Sequence, residues 1–206
     1  MTRKELKVEA KQQLKGNWGT AIGIILIIVV IELCLRFIGE KYFEYTWYSM
    51  ILSIASLLIM TPLALGKSIY FLKLARKENG QLNDLFSGYK NFLKVIGVSI
   101  LSEIIILIGF ILLIIPGIIF SFIYSQVYYI LADNPDIGII ECLKESRKMM
   151  KGQKINYFVL MLSFMLWGIL TAITLGLAGL YVIPYYEATL VNFYLNIREQ
   201  RGLVQQ

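Results

Sequence analysis

The chain has no histidine, only two cysteines, four prolines in 206 residues, and charged side chains at just 17% of positions. Each shortage excludes something. Without histidine, and with only Cys34 and Cys142, the common zinc constellations cannot be assembled, and neither a Cys/His nor a Ser/His pair exists for nucleophilic catalysis. Cys34 lies in an apolar block and Cys142 in a charged connector, which the orientation derived below puts on opposite faces of a bilayer, so no disulfide joins them. The low charge rules out a water-soluble globule, in which roughly a quarter of residues are charged. What is abundant instead is hydrocarbon: 57% of residues are hydrophobic, in long uninterrupted blocks, and the mean hydropathy is +0.66. The chain reads as an integral membrane protein.

The blocks set the architecture. Trp18 to Ile38 has the length of about 20 residues that a helix needs to cross roughly 30 Å of hydrocarbon. The charged stretch before it, Met1 to Asn17, and Glu32 within it suit an uncleaved first span better than a signal peptide. After a short polar connector, Gly39 to Glu44, the second block runs from Tyr45 to Leu72. It opens on Tyr45, Trp47 and Tyr48, and Thr61-Pro62 is expected to bend it.

Val95 to Leu131 stays apolar for a length of about 55 Å as one helix, too long for a single crossing. Pro116-Gly117 near its middle is a turn signal, which divides it into Val95 to Ile115 and Ile118 to Leu131; the alternative is one long kinked helix. After the connector Ala132 to Lys154, Ile155 to Thr174 and a last apolar run through Leu195 flank the glycine-rich Leu175 to Gly179. The expected fold is all-α: a polytopic bundle of six spans in a single membrane domain.

Basic residues set the orientation, because Lys and Arg are retained on the cytoplasmic side. The amino-terminal segment, Lys73 to Lys94, Ala132 to Lys154 and the tail together hold seventeen, whereas the three outer turns hold only Lys41. Both termini are therefore expected in the cytoplasm. The net charge of +6 is accounted for by this placement without nucleic acid.

Each cytoplasmic segment also has the spacing of an amphipathic interfacial helix. Leu6, Ala10 and Leu14 form one apolar face; Leu82, Leu85, Phe86, Tyr89, Phe92 and Leu93 a second; Ile139, Ile140, Leu143 and Met150 a third. For the third helix, Asn134 is the expected N-cap and Pro135 the first helical residue, with Gly152 as the stop. Similar phrases follow each one: Leu14-Lys-Gly-Asn-Trp18, Phe86-Ser-Gly-Tyr-Lys-Asn-Phe92 and Met150-Lys-Gly-Gln-Lys-Ile-Asn-Tyr157. A threefold repeat of surface helix and helical hairpin, over 1–72, 82–131 and 136–197, accounts for this; so does the general composition of membrane interfaces.

Ionisable residues inside spans are the sharpest functional pointers, costing roughly 2.5 to 3.5 kcal/mol each at the bilayer centre. Glu103, with Ser99 one turn earlier, and Glu187, after Pro184-Tyr185-Tyr186, are the candidates for an intramembrane polar site. A shared site could bind a cation or a proton, while the structural alternative is a neutral acid bonded to a neighbouring helix. Glu32 and Arg36 have the spacing of a structural pair, and Lys67 is placed to snorkel to the inner surface. Lys144, Arg147, Lys148 and Lys151 form the candidate lipid or partner surface. Asp133 and Asp136 are too few for a metal site, and no phosphate-binding loop, dinucleotide fingerprint or nucleophile elbow occurs.

Several phrases match a known pattern: Leu113-Ile-Ile-Pro-Gly-Ile-Ile119, Tyr124-Ser125, Tyr129-Ile-Leu-Ala-Asp-Asn-Pro135, Ser146-Arg-Lys-Met-Met-Lys-Gly-Gln-Lys154, Leu162-Ser-Phe164, Trp167 and Pro184-Tyr185, together with Leu14 to Trp18. By these the chain resembles the bacterial integral membrane proteins of domain-of-unknown-function family 975. That resemblance implies a multi-pass protein of the bacterial cytoplasmic membrane and brings no catalytic residue with it. The functional expectation is a non-enzymatic membrane protein without a cofactor, contacting anionic lipid or a protein partner through its basic segments. A small permease or ion-coupled transporter using Glu103 and Glu187 is the alternative.

Overall fold

The computed structural model describes residues 1–41 and 46–202, and among them there is no β-strand. The elements are α1 (Arg3–Leu14), α2 (Trp18–Lys41), α3 (Thr46–Ala75), a 3-10 helix (Leu82–Asn91), α4 (Phe92–Leu112), α5 (Ile114–Ile123), α6 (Val127–Asp133), α7 (Ile139–Met149), α8 (Lys154–Leu162), α9 (Met165–Ile173) and α10 (Gly179–Gln200). Of the expected first outer connector, Gly39 to Lys41 continue α2, while residues 42–44 and Tyr45 of the aromatic cluster lie outside the described residues.

Among the described residues, five helical stretches are long and apolar enough to cross a membrane, from Trp18, Trp47, Leu82, Ile114 and Lys154. The last apolar run is different. Its helix, α10, carries Glu187, Asn192, Asn196 and Arg198, and most of its residues are buried by the rest of the protein. A helix enclosed by protein can be far more polar than one facing lipid.

The break in the long apolar block lies three residues before the expected one. Leu113 is extended, with φ −167° and ψ 156°, and Pro116 and Gly117 sit in the first turn of α5. Proline is tolerated there because that N–H would have no helical partner. Gly117 has a second role: a Cβ added at Gly109 would come within 3.0 Å of its Cα, so the α4 and α5 backbones approach closely there, with the Phe110 and Phe120 rings packed over the two glycines. The kinked-rod alternative is not what the chain adopts. The stretch Ile118 to Leu131 is also not one helix, since Tyr124 to Gln126 interrupts it between α5 and α6. Ser163-Phe164 likewise separates α8 from α9.

The first and third amphipathic segments bury most of their expected apolar faces in the protein, Ile140 excepted, whereas the second buries only Leu85 and leaves Leu82, Phe86, Tyr89 and Leu93 exposed. Thr2 caps α1 in a reciprocal box with Glu5, and this contact holds the Glu5 carboxyl below the usual carboxylate range. Leu6, Ala10 and Leu14 then pack into the core. The second segment is a 3-10 helix pressed onto α3: a Cβ at Gly88 would collide with the Pro62 carbonyl, and one at Gly66 with the Leu85 carbonyl. The third, α7, buries Cys142, Leu143, Ser146 and Met149. It starts later than expected. Asn134 closes α6, and Gly138 is the N-cap, with Glu141 accepting a hydrogen bond from its N–H at 3.4 Å. Gly16 and Gly152 adopt positive φ after α1 and α7, whereas Gly88 lies inside its helix.

Candidate functional site

Three helices that end in charge meet at one carboxylate. Asp133, the last residue of α6, has only 4% of its side chain exposed and accepts from the guanidinium groups of both Arg76, just beyond α3, and Arg198, near the end of α10. Tyr194, one turn before Arg198, donates its hydroxyl to the same carboxylate at 2.8 Å. Two cations on one anion leave the cluster with net positive charge. A cleft of about 570 Å³ opens beside it, bordered by Asp133, Glu141, Lys144, Glu145, Tyr194 and Arg198. Lys73 and Asp84 add a second pair at 2.6 Å at the same end of α3.

Further along α3 and α10 lies a second centre. Lys67 Nζ is 2.6 Å from the Glu187 carboxylate, and Tyr129 of α6 donates to the same carboxylate at 3.4 Å. This corrects the expectation for Lys67: it turns inward to a buried acid instead of reaching for the surface. With an ammonium ion and a phenol already on it, Glu187 is compensated without a foreign cation.

Glu103 belongs to a different set. Ser99 donates to its carboxylate at 3.0 Å and sits 3.1 Å from the Tyr128 hydroxyl, while Glu103 itself is exposed on α4. Ser99 and Glu103 are thus brought together, and Glu187 keeps other partners. Tyr128 and Tyr129 are consecutive on α6, so from different faces of one helix Tyr128 reaches the Ser99 hydroxyl and Tyr129 the Glu187 carboxylate.

The candidate surface on α7 is laid out by its own burial. Because the opposite face is packed, Lys144, Arg147, Lys148 and Lys151 are all exposed. Lys148 has Glu145 at 4.0 Å, and the Lys151 carbonyl accepts from Arg201. Glu32 and Arg36 lie 3.5 Å apart with both side chains more than half exposed. Cys34 is exposed and Cys142 buried, and neither forms a disulfide. Burial pushes the Cys142 thiol up to about 12, with its Sγ 3.5 Å from the Val127 carbonyl. Lys7 of α1 sits 4.1 Å over the Phe164 ring, and burial pulls its ammonium below the usual lysine range.

Asp133, Arg76, Arg198 and the Lys67–Glu187 pair were not singled out by sequence as a site. The available signal was positional: each charge falls at or inside the same end of an apolar block, where an unpartnered charge is costly. Among the described residues no group of three or more potential metal-ligating side chains converges.

No curated protein and no solved structure matches this chain. A family model described as "Protein of unknown function (DUF975)" matches residues 1–115 and again 104–201, which together take in nearly the whole sequence. The chain belongs to this DUF975 family.

Proposed function

We propose that this is a non-enzymatic, multi-pass protein of the bacterial cytoplasmic membrane whose basic cytoplasmic face gathers anionic lipid headgroups. The six apolar segments form three hairpins, entered from the side that carries seventeen Lys and Arg residues, with both termini on that side. The threefold repeat of 1–72, 82–131 and 136–197 fits this layout. The observation that carries the functional reading is the face of α7: Lys144, Arg147 and Lys148 are exposed together on a helix whose other face is locked into the bundle, and Lys151 is exposed just beyond its end. Each such residue near an anionic surface contributes about 1 kcal/mol of attraction.

The carrier reading finds less support. Its two carboxylates have separate partners, and Glu187 already faces Lys67.

The test is enrichment of a fluorescent anionic lipid around the protein in mixed nanodiscs. Replacing Lys144, Arg147, Lys148 and Lys151 by Gln is expected to reduce that enrichment several-fold and leave zwitterionic lipid unaffected. Unchanged enrichment in the fourfold variant would remove the proposal.

A further inference from the structure

The three hairpins do not reach equally far, and their aromatic residues supply the scale. Trp18, at the start of α2, stacks on Tyr181 with ring centroids 4.6 Å apart, and Trp167 lies 6.2 Å from the same ring. The third tryptophan, Trp47, sits beside Tyr48 at the far end of the α2–α3 hairpin. From Trp18 to Gly39 the helix covers about 32 Å, close to the roughly 30 Å of hydrocarbon between two interfacial aromatic belts. Beyond Gly39 the sequence carries Glu40, Lys41 and Glu44, the composition of a segment in water.

The α9–α10 hairpin has no such length beyond the inner belt. Tyr181 is only two residues into α10, and from Trp167 to the end of α9 is about 9 Å. The rest of α10 lies beside α1. Lys11 sits 5.3 Å over the Tyr185 ring, Asn192 donates to the Leu6 carbonyl at 3.2 Å, and the amino terminus reaches Asn196 at 3.0 Å. A helix bearing Arg3, Lys4, Glu5, Lys7, Glu9 and Lys11 is excluded from hydrocarbon, so the part of α10 alongside it is also outside.

The α4–α5 hairpin is limited by its second arm, since α4 alone, at 21 residues, is long enough to cross. Ser146 of α7 donates to the Ile123 carbonyl at 2.6 Å, which pins the end of α5 to the basic surface helix. From there α5 runs ten residues, about 15 Å, half of a bilayer.

The turns themselves are built for oil. Residues 104–120 contain no polar side chain, yet Leu113 is 68% exposed. Leu175, at the α9–α10 turn, is 95% exposed, and at φ 51° it occupies a conformation for which glycine or asparagine is usual in water. Hydrocarbon demands that backbone groups bond internally, and this turn does so. Gly176 donates to the Thr171 carbonyl, Leu177 to that of Thr174 and Gly179 to that of Gly176. The Thr174 hydroxyl donates to the Leu170 carbonyl at 2.9 Å and accepts from the Ala178 N–H at 3.0 Å.

We infer that only the α2–α3 hairpin crosses the membrane, and that the α4–α5 and α9–α10 hairpins are re-entrant, their tips docked among the acyl chains of the leaflet they enter. The leaflet is the cytoplasmic one, which rests on the orientation proposed above; the depth does not. Both tips insert on one side, so the protein displaces lipid unequally between leaflets.

Nitroxide labels in reconstituted vesicles measure that depth without reference to sidedness. In a Cys34→Ala background, with buried Cys142 retained, labels are placed singly at Leu113→Cys, Leu175→Cys and, as the aqueous reference, Lys41→Cys. Labels at Leu113 and Leu175 are expected to collide with oxygen several-fold more than with a water-soluble nickel chelate, and the Lys41 label to show the reverse. Nickel accessibility at Leu113 or Leu175 equal to that at Lys41 would overturn the inference, whichever end faces the cytoplasm. Ile115→Cys and Leu177→Cys, at positions 70% and 73% exposed, give the same reading where a first variant fails to fold.

Discussion

The far half of the α2–α3 hairpin and the charged end of the molecule are opposite solutions to the same problem. Val30, Leu33, Phe37, Met50, Ile51 and Ile54 lie bare on the hairpin, whereas at the charged end Arg76, Asp133, Tyr194 and Arg198 close on one another beneath α7. Bare apolar surface is unfavourable in water and neutral in lipid, so the hairpin needs few protein contacts. The charged end instead holds itself together by ion pairs and close backbone packing. The contrast places the stability of the tertiary structure at the charged end.

Substitutions there should therefore cost most. Asp133→Asn leaves two guanidinium groups without their anion and is expected to destabilise the protein by about 3 kcal/mol, a discount from the fully buried case because Arg76 is partly exposed. Thermal unfolding in detergent would register this as a large drop in Tm. Gly88→Ala drives a methyl group into the Pro62 carbonyl and should cost about 1 to 3 kcal/mol by the same measurement. Tyr194→Phe, which removes one hydrogen bond from Asp133, should cost about 1 kcal/mol. At the bare end, Arg36→Gln breaks an exposed pair and should change stability by well under about 1 kcal/mol. Equal losses from Asp133→Asn and Arg36→Gln would erase the contrast.

The cysteines sharpen it chemically. Cys34 should alkylate rapidly in the folded protein in detergent, whereas Cys142 should react only on unfolding. Burial raises the folded Cys142 thiol to about 12, above roughly 8.5 in an unfolded chain. Its contribution to stability is therefore complete below about pH 8.5 and is lost as the pH rises toward 12. The wild-type protein should lose thermal stability relative to Cys142→Ala across that interval, and parallel pH profiles would contradict the assignment. The burial of Cys142 also makes it unsuitable as an accessible thiol for mapping topology.

Much of this organisation was legible in the chain. Apolar runs located the helices, the asymmetry of Lys and Arg marked one end, and i, i+4 spacing identified the buried faces of α1 and α7. The break at Leu113 was misplaced because Pro116 reads as a turn from sequence but is equally at home in the first turn of a helix. Asn134-Pro135 read as a helix start for a similar reason, although holding Asp133 in the cluster carries α6 to that residue and leaves 134–138 as the connection. The pairings of Lys67 with Glu187 and of Arg76 and Arg198 with Asp133 were hidden by long sequence separation. No local pattern signals them; they follow from which helices pack together. Hairpin depth was hidden too, because periodicity and hydropathy describe a helix's faces but not the neighbours that fix its level.

The account turns on which end of the molecule meets the cytoplasm. The direct measurement is labelling of single cysteines at Lys148 and Lys41, in a Cys34→Ala background, by an impermeant maleimide added to intact cells. The account predicts reaction at Lys41→Cys alone, with Lys148→Cys reacting only after the membrane is permeabilised. Labelling of Lys148→Cys in intact cells, with Lys41→Cys protected, would contradict it.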